Sequence, residues 1–342
     1  MTETPRNPTK AVRTIADLAR LAGVSTGTIS RALSGSTLVR SETRTRVVEL
    51  AKQHGFTPNA TARNLRTQRT GAVAVVVPLG HETTQHLSDP FFMALIGNLA
   101  DALSDRGYDL LLSRVIPQQS NWLQGIVDSG RSDGMIVIGQ SDQAATLDDV
   151  ASRYLPMVVW GGHQPGQVHC SVGSDNKLGG ELATRHLLAQ GCQTIAFLGN
   201  PQALEIGQRL KGCEEALHSA GARSGPIVLP AHLTAETAHA AISAWLDGDG
   251  RSADGIVAAS DVIAMSALRA LAEHGRKVPD DVRVIGYDDL PLANQTTPPL
   301  TTVRQDLEEG ARLLVEKLLA RMDGTPSASA VMPPSLVLRD SA

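Results

Sequence analysis

Cysteine is nearly absent from this chain: three in 342 residues, at positions 170, 192 and 213. An odd, widely spaced set of that kind builds neither a disulfide framework nor a zinc site, and it reads as reduced, partly buried thiols. Aromatics are also scarce, with four Phe, three Trp and three Tyr. No run approaches the ~18 consecutive apolar residues of a membrane span, and the polar stretch from Met1 to Arg13 lacks the apolar segment of a secretory signal. What remains is ordinary globular composition, 42% hydrophobic and 19% charged, in a chain long enough for two or three domains of roughly 100–200 residues. A soluble, cytoplasmic protein is expected.

Catalytic constellations are missing too. Gly-x-Ser-x-Gly occurs at Gly23-Val-Ser-Thr-Gly27 and Gly130-Arg-Ser-Asp-Gly134, but neither lies on a strand-to-helix elbow, there is no Walker loop, the ten histidines are scattered, and His81 and His86 have the wrong spacing for a helical zinc motif. No enzyme activity, cofactor or metal is expected.

The net charge of −4 hides an asymmetry. Residues 1–70 hold twelve basic against four acidic side chains, a net of +8, and the remainder carries −12. A basic head on an acidic body points to a polyanion-binding module attached to a larger domain with other work.

Within the head, Thr14 reads as an N-cap answered by Asp17 three residues later, with Ile15, Leu18 and Ala19 on one apolar face and Gly23 as the stop. Ser25 starts a second helix, Thr26 to Leu33, with Ile29 and Leu33 inward. Two short helices across a tight Gly-containing turn make a helix-turn-helix, whose second helix lies in the major groove of DNA. Thr26, Gly27, Ser30 and Arg31 then point outward, and Arg31 can pair with guanine O6 and N7. A third helix is expected from Ser41 to about His54, stopped by Gly55.

Asn59 is an N-cap for the segment Ala60 to Arg66, too short to hold a helix alone, since isolated helices below about 12–15 residues are marginal. It places Arg63, Arg66 and Arg69 around Leu65, the arrangement by which minor-groove binders pry open a base step. A plain linker covering the body is the competing reading.

From Gly71 apolar runs alternate with helical stretches: strands over Ala72 to Val77, Tyr108 to Leu112, Gly134 to Ile138, Pro156 to Val159, Thr194 to Leu198, Gly255 to Ala258 and Val282 to Ile285. Such βαβ repetition means doubly wound parallel sheets, and its length implies two lobes. The fold class is therefore α/β, two-lobed, with a small all-α helix-turn-helix domain at the N-terminus.

The chain resembles the LacI/GalR family of bacterial transcription regulators. The resemblance rests on Thr14-Ile-Ala-Asp-Leu-Ala-Arg-Leu-Ala-Gly-Val-Ser-Thr-Gly-Thr-Ile-Ser-Arg-Ala-Leu33 and Gly55-Phe-Thr-Pro-Asn-Ala-Thr-Ala-Arg-Asn-Leu-Arg66. It continues through Asp89-Pro-Phe-Phe92, Val172-Gly-Ser-Asp-Asn176, Arg209-Leu-Lys-Gly212, Val284-Ile-Gly-Tyr-Asp-Asp289 and Pro299-Leu-Thr-Thr-Val-Arg-Gln305. It implies a homodimer reading two half-sites of a near-palindromic operator. Thr26, Gly27 and Arg31 would be base-reading residues and Ala62, Leu65 and Arg66 minor-groove contacts. It also implies a body like the periplasmic sugar-binding proteins, with a ligand cleft between lobes. The leucine-heptad tail of tetrameric relatives has no room after Leu338, so a dimer is expected.

The expected layout is a tail over 1–12, the helix-turn-helix domain over 13–58, and a hinge helix and linker over 59–70. The effector-binding and dimerisation domain follows over 71–339, with lobe one at 71–191 and 307–325 and lobe two at 192–304 and 330–339. Cleft candidates are Phe91, Phe92 and Trp160 as stacking faces, Asp175 as cap or ligand contact, and Arg209 as a fork-shaped donor. Ser260, Asp288 and Gln305 complete the set. Asn-Asp is usual in the family where this chain has Ser260-Asp261, and Trp160 stands where many relatives carry Asp or Asn. Asp175 and Asp288 suggest a glycosidase carboxylate pair, but the resemblance puts both in a binding cleft.

Two acids and one arginine around aromatic faces favour a sugar or small glycoside, and the function expected is a repressor of carbohydrate-utilisation genes released from DNA when that sugar binds. The alternatives are a purine- or nucleoside-responsive, corepressor-dependent regulator and, in another class, a sugar-binding protein without a regulatory role.

Overall fold

The computed structural model describes residues 12–33, 35–56, 69–79, 85–117, 121–140 and 143–342. The chain divides into two compact units, Met1–Thr70 and Gly71–Ala342.

Among the described residues the first unit packs three helices, α1 (Ile15–Ala22), α2 (Thr26–Leu33) and α3 (Ser41–Gln53). Thr14 and Asp17 form a reciprocal capping box at the start of α1. Gly23 ends the helix with φ of 63°, a left-handed turn that costs glycine nothing. One residue of each helix (Leu18, Ile29, Val47) is completely buried, and these meet in one small apolar cluster.

The second unit is built on two six-stranded sheets. The first contains β1 (Ala72–Pro78), β2 (Asp109–Val115), β3 (Gly134–Ile138), β4 (Met157–Trp160), β5 (Ser171–Ser174) and β11 (Ala330–Met332), in the order β11-β5-β4-β3-β1-β2. All its pairings are parallel. Strand β1 is apolar throughout because both faces are covered. Val73, Val75 and Val77 pack with α4 (Pro90–Ser104) and α11 (Leu307–Met322). Ala74 and Val76 pack on the other side with α5 (Trp122–Asp128) and α6 (Ala144–Ala151).

The second sheet contains β6 (Ile195–Leu198), β7 (Ile227–Leu229), β8 (Gly255–Ala258), β9 (Arg283–Asp288), β10 (Thr301–Arg304) and β12 (Ser335–Val337), in the order β12-β10-β9-β8-β6-β7. The strand order repeats that of the first sheet, but β12 runs antiparallel to β10. Its helices are α7 (Asn176–Ala189), α8 (Leu204–Ser219), α9 (Ala235–Asp247) and α10 (Asp261–Glu273).

Two expected lobe boundaries need correction. The expected bounds place residues 176–189 in lobe one, but Ala183 and Leu187 of α7 lie in the second lobe's core with Phe197, Val257 and Ile285. The chain therefore crosses between β5 and α7, not near residue 191. Those bounds also place residues 330–332 in lobe two, whereas they extend the first sheet as β11, paired with β5. Further crossings lie between β10 and α11 and between β11 and β12.

Candidate DNA-reading face and ligand cleft

In the first unit, Thr26, Gly27 and Arg31 are exposed on α2 and Ser30 is half-buried, on the side opposite the buried Ile29 and Ala32. Thr14 and Ser25 are exposed helix starts whose hydroxyls are engaged as caps: Asp17 N–H donates to Thr14 Oγ1 at 3.1 Å and Thr28 N–H to Ser25 Oγ at 3.1 Å. The structure thus brings the six expected residues of this unit's helix-turn-helix to helix starts and one outward face. Asn59, Ala62, Arg63, Leu65 and Arg66 lie outside the described residues.

In the second unit a cavity of about 120 Å³ opens between the lobes, at the carboxyl ends of the strands. Phe91, Phe92, Trp160, Arg209, Ser260, Asp288 and Gln305 all line it. The first lobe supplies the aromatic wall: Phe91 lies 5.9 Å from Phe92 and 6.3 Å from Trp160, ring centre to ring centre. Asp175 is not among the lining residues. Its carboxylate caps α7 by accepting from Leu178 N–H at 3.0 Å, and its neighbour Asn176 faces the cavity instead.

The second lobe supplies the polar wall. Arg209 is held rather than free: Nε donates to Asn176 Oδ1 at 2.8 Å, Nη1 donates to the Ala259 carbonyl, and the guanidinium lies 3.6 Å above the Tyr287 ring. Small residues make that seat possible. A Cβ on Gly180 would fall 1.9 Å from the Arg209 carbonyl oxygen, and one on Gly212 1.9 Å from the Lys177 carbonyl oxygen. The Arg-Leu-Lys-Gly motif therefore joins a cavity-lining guanidinium to the glycine that lets α8 lie against α7.

Asp288 ends β9 with φ of 115°, and Asp289 follows at 55°. Such a backbone costs non-glycine residues roughly 1–3 kcal/mol each and persists only where neighbours hold it. Here they do. Gln305 Nε2 donates to Asp288 Oδ1 at 2.7 Å, and Arg304 and Arg339 pair with Asp289 at 2.7 and 2.6 Å. Behind them, fully buried Asp261 accepts from Leu290 N–H at 2.8 Å and Thr302 Oγ1 at 2.6 Å. Burial pushes the Asp288 carboxyl up to about 7 despite Arg209 and the Gln305 amide. Burial, with the charge of Asp288 added, also holds Asp261 well above the usual carboxylate range. Ser260 lines the cavity while its hydroxyl caps α10, accepting from Ile263 N–H at 3.2 Å.

Sequence reasoning missed Gln85, Asp89, Gln140, Asn176 and Glu205. Glu205, at the start of α8, reaches across to lobe one: its Oε1 accepts from Gly162 N–H at 3.0 Å and from Gln140 Nε2 at 3.2 Å. Gln140 Oε1 in turn meets His169 Nε2 at 2.9 Å, and His169 Nδ1 meets Asp148 at 2.6 Å. Nothing in local spacing marks this row: Gln140, Asp148 and His169 meet within lobe one from separate segments, and Glu205 joins them from the other lobe. Asp89 and Asn176 stood inside quoted motifs, so position in a motif was the signal available for them.

Comparison with known proteins matches two separate stretches of the chain. A model described as bacterial regulatory proteins, lacI family, matches residues 14–59, and one described as a periplasmic binding protein-like domain matches 184–342. The HTH-type transcriptional regulator CelR of Thermobifida fusca is 34% identical, the match covering 96% of this chain and 98% of CelR. A ribose operon repressor of Halalkalibacterium halodurans is 29% identical, covering 96% of each chain. The solved transcriptional regulator CelR–cellobiose complex superposes with a TM-score of 0.70 at 31% identity, covering 96% of this chain and 99% of that one. On this likeness over nearly its whole length, the chain belongs to the LacI family of bacterial transcription regulators.

Proposed function

We propose that this protein is a sequence-specific, DNA-binding transcriptional repressor whose grip on its operator is set by a sugar bound between the lobes. The observation that carries the reading is a cavity with one aromatic wall and one hydrogen-bonding wall, in the same chain as a helix-turn-helix unit that exposes Thr26, Gly27 and Arg31. Sugar rings present apolar faces to aromatics and hydroxyl edges to carboxylates and guanidinium groups. CelR was solved with cellobiose, and a ribose operon repressor is among the relatives, which supports a sugar over a purine or nucleoside.

In this reading Phe91, Phe92 and Trp160 stack on the ligand, while Asp288, Ser260, Gln305 and the donors Arg209 does not spend on Asn176 and Ala259 fix its hydroxyls. Thr14 and Ser25 hold their helices at the phosphates, Thr26, Gly27, Ser30 and Arg31 meet base edges, and Asn59, Ala62, Arg63, Leu65 and Arg66 supply the minor-groove contacts. The protein acts in the cytoplasm as a homodimer on two half-sites, as a regulator rather than an enzyme. A ligand shifts the DNA-bound population only by its differential affinity for the two states.

The test is selection of bound DNA from a random pool, followed by gel-shift titration with and without each sugar that raises the melting temperature of the full chain. A palindromic site released by such a sugar is expected. DNA binding without sequence preference, or unaffected by any stabilising ligand, overturns the reading. A sugar that tightens DNA binding would make it a corepressor.

A further inference from the structure

Two arginines of α3, Arg44 and Arg46, count toward the basic charge of the head, yet both spend donors on the head's own backbone. Arg46 Nη2 donates to the Ala22 carbonyl at 2.9 Å, 24 positions away. Ala22 is the last residue of α1, and the carbonyls of a helix's last turn have no partner within the helix. A cation placed there also meets the negative end of the helix dipole. The left-handed Gly23 comes next, so this bond fixes the chain where it leaves α1 for α2.

Arg44 does the same at the other end of α2. Its Nη2 donates to the Ser36 carbonyl at 2.8 Å and to the Val39 carbonyl at 3.3 Å. Ser36 N–H in turn donates to the Arg31 carbonyl at 3.0 Å, so a single residue, Ser36, links Arg44 to the backbone of Arg31. Arg44 is half-buried, and its Nε is buried and unpaired among the described residues. That edge of the guanidinium is turned into the head, away from any phosphate. Val47, on the same helix, packs with Ile29 of α2 in the apolar cluster. Helix α3 therefore holds α2 from beneath, at the chain leading in and at the chain leading out.

This matters because the two kinds of DNA contact differ in tolerance. Attraction to phosphates follows charge and survives small displacements, whereas a paired contact to a base edge needs both hydrogen bonds aligned. We propose that Arg44 and Arg46 are positioning residues for base reading, which aim α2 by pinning the chain at its two ends, and that neither grips a phosphate. This rests on the reading of α2 as the DNA-reading helix.

The experiment is fluorescence-anisotropy titration of the full chain with its selected palindromic duplex and with a scrambled duplex, over about 50 to 200 mM KCl. The variants are Arg44→Ala, Arg46→Ala, Arg44→Lys, and Arg31→Ala alone and combined with Arg44→Ala. Each alanine at 44 or 46 should weaken the selected site about tenfold, leave the scrambled duplex within about twofold, and keep the slope of log affinity against log salt. Arg44→Lys, which retains a donor, should bind the selected site within about threefold of wild type. The double variant should bind no more weakly than Arg31→Ala, because Arg44 acts through the backbone of Arg31. A salt slope shallower by about one for each guanidinium lost, with scrambled binding also weakened, makes these arginines phosphate contacts and overturns the proposal. Unchanged affinity for the selected site, or equal loss from both duplexes at an unchanged slope, overturns it as well: the first leaves the arginines no part in reading, the second makes them supports of the head's folding. A wild-type chain that does not prefer its selected duplex removes the reading of α2 itself.

Discussion

The first lobe and the second lobe arrange six strands in the same order, differing only in the direction of the last, yet they bring different chemistry to the space between them. The first offers ring faces on Phe91, Phe92 and Trp160; the second offers a pinned guanidinium, a strained carboxylate and a capped hydroxyl. Equivalent scaffolds can carry unlike walls because parallel sheets present their carboxyl-end loops freely while the cores beneath fix only packing. In the proposed reading neither wall holds the sugar alone. Closing one on the other makes binding sensitive to lobe geometry, which is what a ligand-driven switch requires.

The comparison is sharpest at the glycines. Gly212→Val in the second lobe would drive a side chain into the Lys177 carbonyl, separate α8 from α7 and unseat Arg209. The expected cost is about 3 kcal/mol of folding stability, read by urea denaturation. Gly97→Ala on the exposed face of α4, where an added Cβ meets nothing within 4 Å, should instead be neutral or stabilising. Equal effects would show that the close helix contact is not what the second lobe depends on.

Arg209→Lys keeps the charge but loses the fork and the stack on Tyr287. Sugar affinity should fall about a hundredfold, consistent with charge-assisted hydrogen bonds worth roughly 1.5–3 kcal/mol. Wild-type affinity in calorimetry would move the polar wall elsewhere.

Asp288 makes the second lobe's wall pH-sensitive. Its folded pKa, about 7, lies above its ordinary value, so the folded protein holds this proton more tightly than the unfolded chain does. The resulting stabilisation is complete below the ordinary aspartate pKa and is lost as pH rises through about 7. The melting temperature of the unliganded protein should therefore decline, relative to that of Asp288→Asn, between pH 5 and 7.5. Affinity for a hydroxyl ligand should rise about tenfold from pH 6 to 8, as the carboxylate becomes the better acceptor. A flat affinity profile in the wild type would exclude Asp288 as that acceptor.

The smallest effect belongs to the first lobe. Phe91→Leu keeps apolar bulk but removes a ring face, and should weaken sugar binding about fivefold, in line with aromatic contacts worth roughly 0.5–1.5 kcal/mol. If it cost more than Arg209→Lys, the division of labour between the lobes would be reversed.

Much of this was readable in one dimension. The capping box at Thr14 and Asp17, the left-handed Gly23 and the outward Thr26, Gly27 and Arg31 are matters of spacing within a few residues. Phe91, Phe92, Arg209, Asp288 and Gln305 could be named because they stand in motifs, and Trp160 and Ser260 because they end or follow strands. Asp175 illustrates the limit. Its sequence position allowed a cap or a ligand contact, and the local hydrogen bond to Leu178 took the carboxylate, turning Asn176 to the cavity. The lobe to which α7 belongs was equally hidden, since an apolar helix face does not state which sheet it covers.

The charge split, the helix-turn-helix, the βαβ alternation and the glycines follow from the order of residues, because each depends on periodicity, local capping or backbone freedom. Packing alone settles which lobe holds α7 and β11 and that Glu205 reaches Gly162 and Gln140. Those facts join residues tens of positions apart. Their energies arise from burial and from partners that exist only once both lobes are packed, and no spacing rule along the chain encodes them.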